Sequence, residues 1–192
     1  MIQAMSDEWL QARTVTNTSA PPDPPTIELP TVESVLDFGC GLGRNSSYLK
    51  TIAREVHGFD VPEALADCDG HPTYGTDRLS RDWSITRQRR FDLIFASLVL
   101  EHLPTERAAS FLDDFAAMAP HLYLLTRARS DFGAALLDLI VETRAYDPGP
   151  CRILDNDPGT HRFRVVAEAS FDAARRSPDD VHYELLLRSR NF

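Results

Sequence analysis

The 192-residue chain carries only three cysteines, Cys40, Cys68 and Cys151. They are odd in number, far apart and form no CxxC pair, which argues against a disulfide framework and a structural zinc site. No metal is expected, and a reducing, cytoplasmic setting fits these thiols. No apolar run approaches the ~18 residues needed to span a bilayer. The longest, Leu93–Leu100 and Ala134–Val141, have the lengths of a buried strand and a packed helix. No membrane partner is expected. The start, MIQAMSDEWLQ, has no basic residues followed by an apolar core, so it does not read as a secretory leader. Positive charge is scarce too: 20 Lys and Arg face 29 Asp and Glu, giving a formal net charge of -9 and a pI near 5.1. Such a chain is repelled by a phosphate backbone, which disfavours nucleic acid as partner. Basic clusters such as Arg87, Arg89 and Arg90 are short and read as solvated loop.

The remaining composition is ordinary. Hydrophobic residues make up 43% of the chain, enough for a core in a length that suits one domain. Residues 1–31 read as an appendage. Within them Ser6–Arg13 is expected to form a short helix capped by Ser6 or Asp7. Thr14–Pro30, with Pro21-Pro22 and Pro24-Pro25, reads as an extended linker, because proline fixes φ and removes amide donors. From Ser34 short apolar strands alternate with helical spacings. Strands are expected at Val35–Phe38, Glu55–Phe59, around Thr73–Leu79, and at Asp92–Leu98, His121–Thr126, Arg162–Ala169 and His182–Arg188. Helices are expected over Asn45–Ala53, from Pro62, over Thr105–Met118 and over Phe132–Thr143. This alternation predicts an α/β fold with a doubly wound, mostly parallel, seven-stranded sheet. The last two strands, with no clear helix between them, are expected to pair like a hairpin and to leave the final strand antiparallel. Ala145–Thr160 is expected to be the longest loop.

In such a sheet, ligands bind beyond the carboxyl ends of the strands. The first strand leads into Gly39-Cys40-Gly41-Leu42-Gly43, a GxGxG turn with Asp37 just before it. Glycines there allow positive φ and close backbone approach to a ligand. A dinucleotide fold would offer this turn to a pyrophosphate, but Asp37 would oppose it with like charge. A ligand with ammonium and sulfonium groups suits the acid better. Asp60 ends the second strand at the ~20-residue offset where a carboxylate meets ribose hydroxyls. It could equally serve as N-cap of a helix beginning at Pro62.

These segments resemble one family in order. VLDFGCGLGRNSSYL is similar to motif I of the class I S-adenosylmethionine (SAM)-dependent methyltransferases. REVHGFDVPEAL resembles the motif that follows, and SRDW with RRFDLIFASLVLEHLP resembles the adenine-binding acid and fourth-strand motif. The resemblance runs from Val35 to about Pro104. It implies a Rossmann-like methyltransferase fold over residues 32–192, with SAM as cofactor and S-adenosyl-L-homocysteine (SAH) as product. It also implies roles. Asp37 would orient the methionine end of SAM, and Gly39, Cys40 and Gly41 would line it. Asp60 would take the ribose hydroxyls and Val61 would pack on the adenine. Asp82 would accept the adenine amino group, with the Trp83 backbone or ring beside it. Ser97 and Leu98 would border the sulfonium. Leu42 departs from the family's usual Thr or Ser and removes one hydroxyl contact.

Methyl transfer is a displacement at an activated carbon, so the protein chiefly aligns nucleophile and methyl. A base is needed only if the acceptor loses a proton. His102 and Glu101, after the fourth strand, are the catalytic candidates; a purely structural role for the pair would be to hold that loop. His161 is a further candidate, whereas His182 and His57 read as structural. Arg127, Arg129 and Arg144 could serve an anionic acceptor or be surface charge. A short N-terminal segment leaves open a site for a large acceptor or one completed in a homodimer. The leading expectation is a small-molecule acceptor methylated on O, N or C. RNA or protein methylation would call for a basic face, and the NPPY signature of base-amino methylation is replaced by Ala96–Val99, ASLV. Two more functions are compatible with a nucleotide-type turn: a non-catalytic SAM-binding module, and a dinucleotide oxidoreductase, which Asp37 opposes.

Overall fold

The computed structural model describes residues 24–62, 76–127, 131–157, 162–174 and 181–192. The expectations for Ser6–Arg13, the helix beyond Pro62, Thr73–Tyr74, Arg129 and His161 lie outside the described residues. The strands are β1 (Val32–Phe38), β2 (Ala53–Phe59), β3 (Arg78–Ser80), β4 (Leu93–Ser97), β5 (His121–Arg127), β6 (Tyr146–Asp157), β7 (Arg162–Ala169) and β8 (His182–Ser189). The helices are α1 (Ser46–Ile52), α2 (Trp83–Thr86), α3 (Thr105–Met118), α4 (Asp131–Thr143) and α5 (Phe171–Ala174), with a 3-10 turn at Leu100–His102. All eight strands share one sheet in the order β3-β2-β1-β4-β5-β8-β6-β7. The first five are mutually parallel. β8 runs antiparallel between β5 and β6, and β7 runs antiparallel on the outer side of β6.

Each central strand is apolar on both faces because helices or chain cover both. On one face Leu36, Phe38, Ile94 and Leu124 meet α3 and α4. Helix α3 places Ala108, Phe111, Leu112, Phe115 and Met118 at helical spacing towards the sheet. Glu106 in its first turn complements the helix dipole, and Pro120 follows its end. Phe38, Phe59, Trp83, Phe111 and Phe115 form an aromatic knot there, with Phe38 and Phe111 4.7 Å apart edge-on. On the other face Val35, Val56, Phe95 and Tyr123 meet Leu49 of α1, and Phe95 stacks on Tyr123 at 4.4 Å. Ile27 and Leu29 are buried on this same face.

The fold class is as the alternation predicts, with eight strands in place of seven. The added strand is β6, in the stretch expected to be a loop. Pro148 and Pro150 lack amide donors, and Gly149 has low strand propensity, so the sequence reads as a turn. Pairing on both sides makes it a strand all the same. The register slips between Pro148 and Cys151 accommodate the prolines. A Cβ at Gly149 would lie 2.3 Å from the Leu186 carbonyl oxygen, so only glycine lets the two strands approach here. The expected hairpin of the last two strands is also corrected: β7 pairs with β6, and β8 crosses back to lie between β5 and β6. Short α5 lies between β7 and β8, where no helix was expected. The β7 edge is bulged opposite Ile153/Leu154, and with Arg164 and Glu168 along it, the edge is ill suited to further pairing.

Candidate active site at the carboxyl end of the sheet

The turn after β1 takes the strained shape its glycines permit: φ is +74° at Gly39, +50° at Gly41 and +81° at Gly43. Gly39 N–H and Cys40 N–H both donate to the Phe59 carbonyl, at 2.8 and 3.1 Å, so the turn is tied to β2. A Cβ at Gly39 would come within 2.4 Å of a Val99 methyl, so the loop after β4 closes over the turn only because residue 39 is glycine. The Cys40 side chain points into protein. It is buried against Leu42, and a Cβ at Gly58 would sit 2.8 Å from its sulfur. Of Cys40, therefore, the backbone faces the site.

Asp37 is 1% exposed, and neither carboxylate oxygen has a hydrogen-bond partner among the described residues. Burial raises its pKa from 3.8 to about 7, the nearby Asp60 charge adds to the rise, and the Asn45 side chain opposes it. Asp60 is buried as well but engaged. It accepts from Gly41 N–H and Val61 N–H, both at 2.8 Å, and so braces the glycine turn from β2.

Asp82 and Trp83 lie further along. Asp82 is the N-cap of α2, accepting from the Ser84 amide at 2.8 Å and the Ser84 hydroxyl at 2.7 Å, and these bonds hold its carboxyl below the usual range. The Trp83 ring belongs to the aromatic knot, and its indole N–H donates to Asp114 at 2.7 Å. The ring is therefore engaged in the core, and the Trp83 carbonyl accepts from Arg87 N–H at 2.9 Å.

Ser97 ends β4. Leu98 follows with φ +54°, a left-handed backbone that a leucine adopts only under constraint, and its N–H is fixed to the Leu125 carbonyl at 2.8 Å. Such strain clusters where a chain is held in a special shape for function. Glu101 is 4% exposed and accepts from Arg127 N–H at 2.7 Å and the Thr126 hydroxyl at 3.2 Å. It therefore ties the β4 loop to the end of β5. His102 has its Nε2 3.7 Å from Glu101, and burial lowers its pKa, partly offset by the Glu101 charge.

Two polar residues the sequence did not single out for a role lie on the same side of the sheet. Glu184, 1% exposed, accepts from Tyr123 OH at 2.9 Å, Thr26 N–H at 2.7 Å, Ile27 N–H at 3.2 Å and the Thr26 hydroxyl. It latches the entering chain across β5 and β8. A buried Glu in LLL-rich β8 was the available signal. His182, buried at the start of β8, has no partner for either ring nitrogen among the described residues. His57, by contrast, is satisfied by Glu55 and Arg89. A cavity of about 480 Å³ between Ile140, Tyr146, Phe171 and Arg190 lies at the opposite, amino end of the sheet, away from the glycine turn. Among the described residues, no His, Cys, Asp and Glu form a metal-holding group, and no helix is long and apolar enough to cross a membrane.

A family model described as a methyltransferase domain matches residues 10–169. The chain belongs to this methyltransferase family, and its sheet has the class I, Rossmann-like form. Three solved structures share the fold. N-methyltransferase NodS from Bradyrhizobium japonicum WM9, in complex with SAH, is 16% identical with a TM-score of 0.58, covering 83% of this chain and 79% of that one. Magnesium protoporphyrin IX methyltransferase ChlM from Synechocystis PCC 6803, with bound SAM, is 19% identical with a TM-score of 0.53, covering 95% and 77%. A putative RNA methyltransferase, PH1948 from Pyrococcus horikoshii, is 14% identical with a TM-score of 0.53, covering 94% and 81%. No curated protein matches the chain.

Proposed function

We propose that the carboxyl end of the sheet holds SAM and transfers its methyl group to a small-molecule acceptor. The observation that carries this is Asp37. A fully buried carboxylate without a partner is costly unless a ligand completes it. With Asp60 close by, two acids face this turn; they repel a pyrophosphate and attract an ammonium group. Bound SAM supplies an activated methyl and a neutral leaving group. Asp37 takes the ammonium, and the backbone of Gly39, Cys40 and Gly41 lines the same end. Asp60 accepts from ribose hydroxyls, and Val61 covers the adenine. Asp82, with one oxygen spent on its cap, receives the adenine amino group beside the Trp83 backbone. Ser97 and the left-handed Leu98 set the border where the methyl is exposed. Glu101 keeps that border fixed to β5, and His102 beside it is the group available to take a proton from the acceptor.

A small acceptor is supported by the net charge of -9, which opposes RNA, and by the small-molecule substrate named for ChlM. Cys40 and Cys151, both buried and neither in a disulfide, support a reducing, cytoplasmic setting. Calorimetric titration tests the proposal. SAH should bind and NAD should not, and Asp60→Ala should weaken SAH binding. Binding of NAD without SAH would overturn it.

A further inference from the structure

His182 is 7% exposed, and both of its ring nitrogens are buried with no hydrogen-bond partner among the described residues. Such a group is usually satisfied, so its isolation calls for a cause. Its position supplies one. Alternation along β8 puts His182 on the face of Glu184, which points to Tyr123 and the Thr26–Leu29 chain. Asp37 and Ser97 lie on that same face, two residues beyond Val35 and Phe95 respectively. Ser97, Leu125 and Glu184 form one row across β4, β5 and β8, and His182 stands one pleat further out, opposite Arg127. At ~4.8 Å between strands and ~6.7 Å per pleat, its Cα is roughly 12 Å from that of Ser97.

The surroundings are mainly apolar. Phe163 meets the His182 ring edge-on at 4.8 Å, and the same face of the sheet carries the partly buried Leu98 and Tyr48. The charged neighbours are Arg127 and Asp155. Burial lowers the imidazole pKa to about 4, Arg127 adds to the fall and Asp155 opposes it. The ring is neutral at physiological pH and carries one N–H and one lone pair.

We propose that His182 is the acceptor-recognising residue, its ring hydrogen-bonding the hydroxyl of a small, otherwise apolar acceptor of the phenol class held on this face between β4 and β8. This rests on the proposed SAM site at the carboxyl end.

The test uses phenol and toluene as probes on the full chain saturated with SAH. In protein labelled with 15N-histidine, phenol should shift the ring resonances that disappear in His182→Gln. Calorimetry should show phenol binding ~tenfold tighter than toluene, the size of one added hydrogen bond. His182→Phe should bind SAH unchanged, melt no lower than the parent because an unsatisfied polar group is gone, and lose the preference for phenol. His182→Gln, which keeps a donor and an acceptor, should retain part of it. Unmoved His182 resonances, no preference in the parent, or a preference surviving in both variants overturns the inference while leaving the SAM site standing. Failure of the parent to bind SAH overturns the SAM site, and this inference with it.

Discussion

Two buried carboxylates divide the molecule between them. Asp37, at the end of β1 in the parallel half, and Glu184, in the antiparallel half, are each 1% exposed. Asp37 accepts no hydrogen bond among the described residues, whereas Glu184 accepts four. The burial is equal and the consequences are opposite. Glu184 joins the entering chain to β8 and Tyr123, so its charge is used up in the fold. Asp37 is desolvated with only the Asn45 side chain to offset it, so the free protein bears a cost that a cationic ligand relieves. A buried acid thus marks a binding site only when its bonds are left unmade.

The largest expected effect comes from breaking the satisfied side. Glu184→Ala strands two amides and two hydroxyls, and at ~1–3 kcal/mol for a stranded buried group the loss should be about 3 kcal/mol or more. Thermal melts should fall by roughly 6–12 °C for a chain of this length. A melt matching the parent would show that the latch bears no structural weight.

Next comes Asp37→Asn. Removing the negative charge should weaken SAH binding ~10–100-fold, the equivalent of a ~1.5–3 kcal/mol charged hydrogen bond. At pH 8 the ligand-free variant should melt no lower than the parent, because an ionised, unpartnered acid has been removed. Loss of stability together with unchanged SAH affinity would reverse the roles given to the two acids.

The same acid predicts a pH dependence. Unfolded chain releases the Asp37 proton near 3.8, and the folded free protein holds it to about 7. The stabilisation is fully present below 3.8 and is lost as pH rises through about 7. Cation binding needs the ionised form, so SAH affinity should fall towards tenfold per pH unit below about 7 and level off above it. Calorimetry in buffers of different ionisation enthalpy should show proton release on binding at pH 6, absent in Asp37→Asn. The smallest effect is that of Tyr123→Phe. It removes one donor to Glu184 and keeps the ring stacked on Phe95, so it should cost about 1 kcal/mol in a denaturant titration with SAH affinity unaltered.

Much of the parallel half is legible in the residues. Strand β4 is a run of apolar side chains, α3 spans the predicted Thr105–Met118, and the glycine turn and Asp60 stand where their spacing places them. Local patterns suffice there because each element is specified by its own periodicity. The antiparallel half is written differently. Proline and glycine at Pro148–Pro150 say turn, and only pairing with β8, more than 30 residues on, draws that stretch into β6. The candidate site is legible in its residue types but not in their engagement. Nothing local says that Asp60 is braced by Gly41, that the Trp83 ring is turned into the core, that Leu98 is left-handed, or that Glu101 is bound to β5. Those facts depend on contacts between segments distant in the chain.

The position of β8 has a consequence for how the protein is made. The sheet is continuous only through β8, which is synthesised after both its neighbours and lies between β5 and β6. Until it arrives, β5 has one open side, β6 has no link to the parallel half, and Thr26 and Ile27 have no Glu184 to hold them. A nascent chain stopped before His182 therefore lacks both the seam of the sheet and the anchor of Thr26 and Ile27. Such long-range closure is the slow part of folding, and it leaves strand edges exposed to other chains until β8 is made.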